Sequence, residues 1–311
     1  MNAIEITTRI GCKNACVYCP QEQLMKTYST MRKVFLLEFE VFQEFLMKIP
    51  PNVKICFSGM CEPWANPECT KMVLHSHESG HRVSVFTTLT GMTPADVQQV
   101  KELPFDTFVV HLPSNEGYEQ ITVDDSYLEV LRCLSDSSIV TQWLCLGETV
   151  HPVVERLLHT DIDREQLFTR AGNIKIKNRS IPGRKKGRIR CERNLRQNVL
   201  LPSGDVLLCC MDYGMKHILG NLKEQDYESL FESNEFLLVQ RGQVDASHDI
   251  LCRYCDWFVR DVDLRAKVSN NLLNKLKFVR RPGDVLALVP ELINGLKKHF
   301  LPNKALPIEK E

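Results

Sequence analysis

The sequence predicts an α/β protein built around a curved, incomplete (β/α)6 barrel, and two observations point to this class. Over residues 1–178, short apolar segments of strand character alternate with helical segments of roughly 10–15 residues, which is typical of βαβ units in a parallel sheet. Six such units can be placed in this region, whereas a closed eight-unit barrel takes about 250 residues by itself.

The individual elements follow from periodicity and from end signals. Residues 3–10 alternate apolar and polar side chains and lead into a glycine, which predicts a strand followed by a loop. Pro50 ends a segment with helical spacing of apolar residues, and Thr93 followed by Pro94 is a typical helix start. The predicted strands cover residues 3–10, 53–58, 82–88, 107–111, 138–146 and 173–178. The predicted helices cover residues 34–49, 67–80, 94–102, 125–134 and 151–158.

A change of composition near residue 179 marks the best domain boundary. Ten basic residues and one acidic residue lie between Lys175 and Arg196, and we call this stretch the basic segment. The elements predicted beyond it are a β-hairpin around 202–205, a helix over 225–240 and amphipathic helices over 262–279 and 284–299. The expected domains are 1–178, 179–260 and a C-terminal helical tail at 261–311 that packs on the barrel or forms a homodimer contact.

Composition excludes several classes of protein. The chain has 39 basic and 39 acidic residues, and this neutral balance disfavours binding to nucleic acid or to an anionic membrane surface. It has no apolar run of about 18 or more residues and no secretory signal pattern at its start, so neither a membrane span nor export is expected. A cytoplasmic, reducing setting is therefore expected. In such a setting the 13 cysteines are better explained as metal ligands or catalytic thiols than as disulfides.

Three of these cysteines, Cys12, Cys16 and Cys19, form a Cys-x3-Cys-x2-Cys run in the loop after the first predicted strand. Three thiolates on one short loop can bind a single inorganic cluster, and soft thiolates are the ligands that iron–sulfur clusters prefer. A [4Fe–4S] cube has four irons, so three protein ligands leave one iron open to a substrate or cofactor. The alternative is a zinc site completed by a distant fourth ligand.

This run resembles the cluster motif of the radical S-adenosylmethionine (radical SAM) superfamily, which carries an aromatic residue before its last cysteine, here Tyr18. The resemblance implies a partial (β/α)6 TIM-like barrel, with S-adenosylmethionine (AdoMet) bound to the open iron. It also implies reductive cleavage of AdoMet to methionine and a 5′-deoxyadenosyl radical, which abstracts hydrogen from a substrate. An electron donor such as flavodoxin or ferredoxin would supply the electron.

A second element of the family follows the second predicted strand. The family's motif at this point is close to Gly-Gly-Glu-Pro. Residues 59–63 of this chain have the sequence Gly-Met-Cys-Glu-Pro, so Cys61 stands where a glycine is usual. In the family this element contacts the ammonium group of the cofactor, and the end of the third strand contacts its carboxylate or ribose. The expected AdoMet-binding residues are therefore Tyr18, Gly59, Glu62, Pro63, Thr87 and Thr88. An ordinary turn and plain strand-end threonines are the alternatives.

A second group of four cysteines lies beyond the domain boundary. Cys191 and Cys209 bracket the predicted hairpin, and Cys252 and Cys255 form a Cys-x2-Cys pair. Such a set suits zinc or an iron–sulfur cluster. The arrangement resembles the twitch domain, a small α+β form of the SPASM domain, which implies one auxiliary [4Fe–4S] cluster held by these four cysteines. No cysteine follows Cys255, so the second auxiliary cluster of a full SPASM domain is not expected.

The resemblance leaves the reaction open between several classes. We expect oxidation of a small polar metabolite, such as a sugar or aminocyclitol derivative, with the auxiliary cluster as electron acceptor and the basic segment as an anion-binding rim. The alternatives are modification of a ribosomal peptide, a redox-neutral sugar epimerase or deoxygenase, and a zinc-stabilised binding protein without activity. Residues 1–11 are too short for the separate recognition module that peptide modifiers often carry.

The candidate catalytic residues differ between these reactions. A dehydrogenase needs a base near the substrate, and an epimerase needs a hydrogen-atom donor such as a thiol. The candidates for the base are His111, Asp212 and Tyr213, with Glu116, Tyr118 and Arg179 also considered. The candidate donor is Cys210, followed by Cys61. Each of these side chains could instead have a purely structural role.

Overall fold

A computed structural model describes residues 2–165, 167–176, 180–191, 193 and 195–260. The two predicted C-terminal helices, with the homodimer contact suggested for them, and Arg179 lie outside these residues. Within the described ranges, no helix has the length and apolar character needed to cross a membrane.

Nine of the eleven described strands form one continuous sheet. The strands are β1 (Ala3–Ile6), β2 (Lys54–Phe57), β3 (Val83–Thr87), β4 (Thr107–Leu112), β5 (Gln142–Cys145), β6 (Asp163–Arg164), β7 (Ile189–Cys191), β8 (Gln197–Leu200), β9 (Asp205–Leu207), β10 (Ile218–Asn221) and β11 (Phe258–Arg260). The order in the sheet is β10-β9-β8-β1-β2-β3-β4-β5-β6, and β11 and β7 pair separately. Strands β1 to β6 are parallel neighbours in chain order, which confirms the α/β class and the incomplete barrel.

Helices cover the outside of the sheet between successive strands. They are α1 (Gln21–Met31), α2 (Phe39–Met47), α3 (Cys69–Glu78), α4 (Pro94–Val100), α5 (Asp125–Ser135), α6 (Pro152–Leu157) and α7 (Asn234–Val244). Short 3-10 helices cover Pro63–Ala65, Glu228–Glu232 and Leu251–Tyr254. The predicted start of α4 is confirmed, because Thr93 and Asp96 form a reciprocal capping box there. The main apolar core lies between helices α2 to α7 and the sheet, whereas Leu24 and Tyr28 of α1 belong to a second apolar cluster.

The sixth strand was predicted wrongly. It is β6, a two-residue strand that pairs with β5, and the described part of the predicted strand, residues 173–176, is not extended into a sheet. The chain instead turns at Arg170 and Ala171, which have φ values of 52° and 58° in the left-handed region. The Ile174 N–H then donates to the carbonyl of residue 169, so residues 173 and 174 belong to this turn rather than to a strand.

Two helix predictions were also wrong in extent. The helix predicted over 34–49 begins only at Phe39, because Leu36 bridges to Arg9 and the Leu37 N–H donates to the carbonyl of Thr8, which holds this stretch extended. The helix predicted over 225–240 is divided at Ser233 into a 3-10 helix and α7. Helix α1, which was not predicted, occupies the chain directly after the third cysteine of the first motif.

The predicted hairpin adds to the barrel sheet. Strand β8 pairs in parallel with β1, with Gln197 opposite Ala3 and Leu200 opposite Ile6. Strand β9 runs antiparallel to β8 and therefore returns toward the beginning of β1. Cys209 follows β9, while the first three cysteines follow the opposite end of β1. The sheet thus places Cys209 and the three-cysteine loop at different ends of β1.

Candidate active site

The barrel encloses a cavity of about 390 Å³, which we call the inner cavity. Cys12, Cys16 and Cys19 all line it from the loop after β1, as the motif predicted. The Cys61 thiol hydrogen-bonds the Cys12 sulfur, and this contact lowers the pKa of Cys12 to about 6. Burial raises the pKa of Cys16 to about 12. Three soft thiols therefore face one space at the carboxyl end of the first strand.

The loop that carries these thiols is fixed by contacts with the segment between β4 and α5. The Tyr18 hydroxyl donates to Glu119 Oε1 at 2.7 Å, and Glu119 Oε2 accepts from both the N–H and the hydroxyl of Ser114. The Gln120 N–H donates to the carbonyl of Asn14 at 2.6 Å. Glu119 was not anticipated from the sequence, although it is a buried acid that holds Tyr18 in place.

The donor set fits a cluster better than a single ion. In the part of the chain that the structure describes, no three His, Cys, Asp or Glu side chains converge closely enough for one metal ion. A cubane binds each cysteine at a different iron, so its ligands are spread more widely than around one ion. The three thiols of one loop and their shared cavity agree with such a cluster.

Glu62 lies at the centre of a buried hydrogen-bond network beside the three thiols. Its carboxylate accepts from the Thr87 hydroxyl at 2.6 Å and from the N–H and hydroxyl of Thr88 at 2.6 and 2.7 Å. Burial raises the pKa of Glu62 to about 7. All three side chains line the inner cavity, and the contact with AdoMet that the family implies for them remains a prediction.

Gly59 and Pro63 support this network in different ways. Gly59 has a φ of 60°, and a Cβ there would lie 2.3 Å from the Thr7 hydroxyl oxygen, so only glycine fits. Pro63 starts the short 3-10 helix behind Glu62, where its carbonyl accepts from the Thr8 hydroxyl at 2.8 Å. Gly59 lines the inner cavity, whereas Pro63 is buried behind its wall.

The second cysteine group forms its own small cavity, which we call the four-cysteine site. Cys191, Cys209, Cys252 and Cys255 all line it, and most of its other wall residues are apolar. Four thiols in an apolar enclosure form a closed donor set that leaves no need for an outside ligand. The residues present therefore fit the predicted auxiliary cluster.

A buried histidine, His217, supports the Cys252 end of this site. Its ring atom Nε2 accepts the Leu251 N–H at 3.0 Å, so Nδ1 carries the proton and donates to Glu235 at 2.5 Å. This histidine, His217, also donates its own N–H to Asp212 at 2.7 Å. Asp212 is fully buried and caps the turn before β10, away from the inner cavity. The structure therefore does not bring Asp212 to the other catalytic candidates.

The other three catalytic candidates do line the inner cavity. His111 is half-buried, and burial, together with the charge of Arg170, lowers its pKa to about 4. The Tyr213 hydroxyl lies 3.4 Å from the Cys19 sulfur. Cys210 is buried, and its sulfur accepts from Arg193 Nη1 at 2.9 Å. Glu116 instead lies on an exposed loop, where it accepts from Thr149.

Glu5 is a functional candidate that the sequence reasoning missed. It lies on β1 between two fully buried isoleucines, so it faces the inner cavity while they face the core. Its carboxylate is 3.5 Å from Arg193 Nη1 and accepts from the Ser58 hydroxyl at 3.3 Å. Burial raises the pKa of Glu5. The signal was present in the alternation of β1, where an acid occupies an inward position.

Two side chains of the basic segment contact the chain between Ala246 and Cys255. Arg184 donates to the carbonyls of Ala246 and His248, and Lys185 donates to the carbonyl of Cys255 at 3.1 Å. Arg193 reaches the inner cavity, where its guanidinium lies over the Trp257 ring at 5.1 Å.

Comparisons with known proteins agree with this geometry. Residues 6–137 match the model of the radical SAM superfamily, and residues 191–256 match SPASM, an iron–sulfur cluster-binding domain. No curated protein matches the chain.

Solved structures share the fold at low identity. BtrN in complex with AdoMet and 2-DOIA has 16% identity and a TM-score of 0.54, over 82% of this chain and 93% of that chain. Native anSMEcpe with bound AdoMet and Cp18Cys peptide has 14% identity and a TM-score of 0.51, over 82% and 86%. SuiB of Streptococcus suis bound to precursor peptide SuiA has 11% identity and a TM-score of 0.54, over 81% and 69%.

These matches confirm the family and the cofactors predicted from the two cysteine patterns. The superfamily match contains the three-cysteine loop and the Glu62 network, and the SPASM match begins at Cys191 and includes the other three cysteines of its group. Both kinds of domain bind [4Fe–4S] clusters, and similar structures contain AdoMet. The chain is therefore a radical SAM enzyme with a SPASM-like auxiliary iron–sulfur domain.

Proposed function

We propose that this enzyme is an oxidoreductase that removes two hydrogens from a small polar metabolite. One observation carries the proposal: the inner cavity and the four-cysteine site share a wall. The side chains that line both are Arg193, Gln197, Met211 and Trp257. A substrate in the inner cavity would thus lie one layer of side chains from the second site, which supports electron transfer between them.

The chemistry divides between the cofactors and the chain. When bound, AdoMet and the two clusters supply a carbon radical that takes a hydrogen atom from the substrate and an acceptor for the electron left behind. The protein must then receive the proton of the substrate hydroxyl. Glu5 suits this task because its carboxylate faces the cavity and burial raises its pKa, which makes it a stronger base.

The other titratable candidates suit the task less well. The lowered pKa of His111 leaves it neutral near pH 7 and weakly basic. Burial raises the pKa of Tyr213 well above its ordinary value, so this side chain stays protonated beside Cys19. These two side chains can therefore orient a substrate by hydrogen bonds, while Glu5 receives the proton.

The charges of the inner cavity favour a small polar substrate over a peptide. Glu5, Arg170 and Arg193 all line it, and charged walls suit hydroxyl, amino or acidic groups. The metabolite class, sugar or aminocyclitol-like, also agrees with the shared fold of BtrN in complex with 2-DOIA. Action on a ribosomal peptide is the alternative, because anSMEcpe and SuiB share the same fold in complexes with peptides.

Anaerobic turnover tests this proposal. The reconstituted enzyme should hold about eight irons per chain. With a panel of sugars, sugar acids, sugar phosphates and aminocyclitols in deuterium oxide, we expect 5′-deoxyadenosine and a product lighter by two hydrogens in equal amounts. Deuterium incorporation without loss of hydrogens would instead indicate an epimerase. Turnover of a precursor peptide, with none of the metabolites oxidised, would contradict the proposal.

A further inference from the structure

Arg170 is a charged residue of the inner cavity that the roles described so far leave unused. It lines the cavity, and the described part of the chain gives its guanidinium no hydrogen bond or ion pair. Arg193, by contrast, contacts Glu5, Cys210 and the ring of Trp257. Among the described residues, none forms a hydrogen bond or an ion pair with the Arg170 guanidinium, although the Glu5 carboxylate interacts with it electrostatically.

The backbone around Arg170 is held in a strained conformation. Arg170 and Ala171 both have left-handed φ values, 52° and 58°, which side chains other than glycine rarely adopt. The Thr169 hydroxyl donates to Asp256 at 2.7 Å, and Asn173 Nδ2 donates to the carbonyls of Arg170 and Met211. The contacts with Asp256 and Met211 therefore hold this turn, and with it the Cα atom of Arg170, in place.

The neighbouring charges leave Arg170 as the free cation among those described in this wall. The Glu5 carboxylate is within ion-pair distance of Arg193, although it also interacts electrostatically with Arg170 over a longer distance. Lys54 faces Asp106 at 3.9 Å. Glu165, also in the wall, is exposed. An anionic ligand would give the Arg170 guanidinium the hydrogen-bonded partner that the described residues do not provide.

We propose that Arg170 binds an oxyanion of the substrate, a carboxylate or a phosphate, and thereby orients the hydroxyl group to be oxidised toward Glu5. A guanidinium can donate two parallel hydrogen bonds to either group, which fixes both position and direction. The substrate is then a hydroxylated metabolite with an acidic group. The orienting role rests on the proposed oxidation, whereas the anion site itself does not.

Chemical modification tests the anion site directly. In the enzyme loaded with both clusters and AdoMet, phenylglyoxal should label Arg170, because its guanidinium is free, and peptide mass spectrometry reads the label. Inorganic phosphate or glycerate should protect Arg170 at least tenfold, whereas the neutral analogue glycerol should not. Protection by phosphate alone or by glycerate alone identifies the acidic group. Equal labelling with and without both anions overturns the proposal.

Binding variants provide the second measurement. By calorimetry, Arg170→Gln should weaken binding of the protecting anion at least tenfold, and Arg170→Lys should restore part of it. The matched control is Arg164→Gln, since Arg164 is an exposed arginine on β6 outside the cavity wall, and it should bind as wild type. Iron content shows that each variant retains its clusters. Unchanged anion binding in Arg170→Gln contradicts the site.

The two proposals fail separately. If anion binding depends on Arg170 but the enzyme oxidises no metabolite, the proposed oxidation is wrong and the anion site stands. If the enzyme oxidises a neutral metabolite and Arg170→Gln does not change its KM, the role of Arg170 is refuted and the proposed oxidation stands.

Discussion

Glu5 is the single residue on which the proposed oxidation depends most. Replacing it by Gln keeps the shape and removes the proton acceptor, so product formation should fall by about 100-fold or more. The wild-type kcat/KM should decline as pH falls through the Glu5 pKa, at a higher pH than for an ordinary glutamate, because burial raises this pKa. The pH–rate profile of E5Q should lack that decline.

The control for this variant is Glu116→Gln. Glu116 is exposed and contacts Thr149 rather than the inner cavity, so its substitution should leave the profile unchanged. A full rate in E5Q, with the same pH dependence as wild type, would assign the base to another group.

Cys210 separates the oxidative reaction from the redox-neutral one. Oxidation needs no hydrogen-atom donor, so Cys210→Ala should still form the product that is lighter by two hydrogens, provided that its iron content matches wild type. An epimerase that uses this thiol should lose turnover and accumulate 5′-deoxyadenosine without product. Mass spectrometry of the products distinguishes the two results.

At the scale of elements, the contact between His217 and Leu251 predicts how the four-cysteine site is kept closed. In His217→Ala the Leu251 N–H loses its acceptor, and the adjacent Cys252 loses its support. We expect iron to fall from about eight to about four per chain. His248→Ala is the matched control, because the His248 ring contacts Ser247 and Asp245 and does not line the four-cysteine site. Full iron content in the His217 variant would refute this role.

The Arg32–Asp205 pair joins α1 to the hairpin. Arg32 donates to both carboxylate oxygens of Asp205, at 2.6 and 2.8 Å. Burial alone would raise the pKa of Asp205, but these bonds outweigh it and lower the pKa below its ordinary value. Asp205→Asn should lower the free energy of unfolding by about 1–2 kcal/mol at pH 7. This figure allows for solvent screening, because the Arg32 side chain is more than a third exposed.

The pH dependence of this loss follows from the direction of the pKa shift. The pair stabilises the fold above the ordinary aspartate range, and this contribution disappears as pH falls through the lowered pKa. The difference in unfolding free energy between wild type and D205N should therefore start to narrow below about pH 4 and close as pH falls below the lowered pKa. Lys71→Gln, which removes a surface pair with Glu68, should change stability much less.

The elements also show where sequence reasoning succeeded and where it could not. The cysteine spacings predicted the family and its cofactors, because ligand spacing is a local property of the chain. Helix α1 was missed because its buried residues are few, Leu24 and Tyr28, and most of its other positions are polar. A two-residue strand such as β6 has no periodicity to detect. Glu119, Arg170 and Arg193 join the site through tertiary contacts that no local pattern encodes.

At the scale of the whole molecule, the zero net charge conceals an uneven distribution. Arg184, Lys185 and Arg196 of the basic segment contact carbonyls or rings between residues 231 and 258. Arg193 points inward to pair with an acid from the first strand. The chain is therefore neutral overall, yet its interior presents fixed charges between the two cysteine groups. The neutral composition disfavours a nucleic-acid coat, but it could not locate these charges.

The position of β1 also constrains how the protein is synthesised. This first strand lies between β2 and β8, so one of its two hydrogen-bonding edges stays open until the ribosome has made the strand that begins at Gln197. An open strand edge is prone to aggregation. We therefore expect the nascent chain to need protection over this interval, and the first cluster to be inserted only after the hairpin has closed the edge of β1.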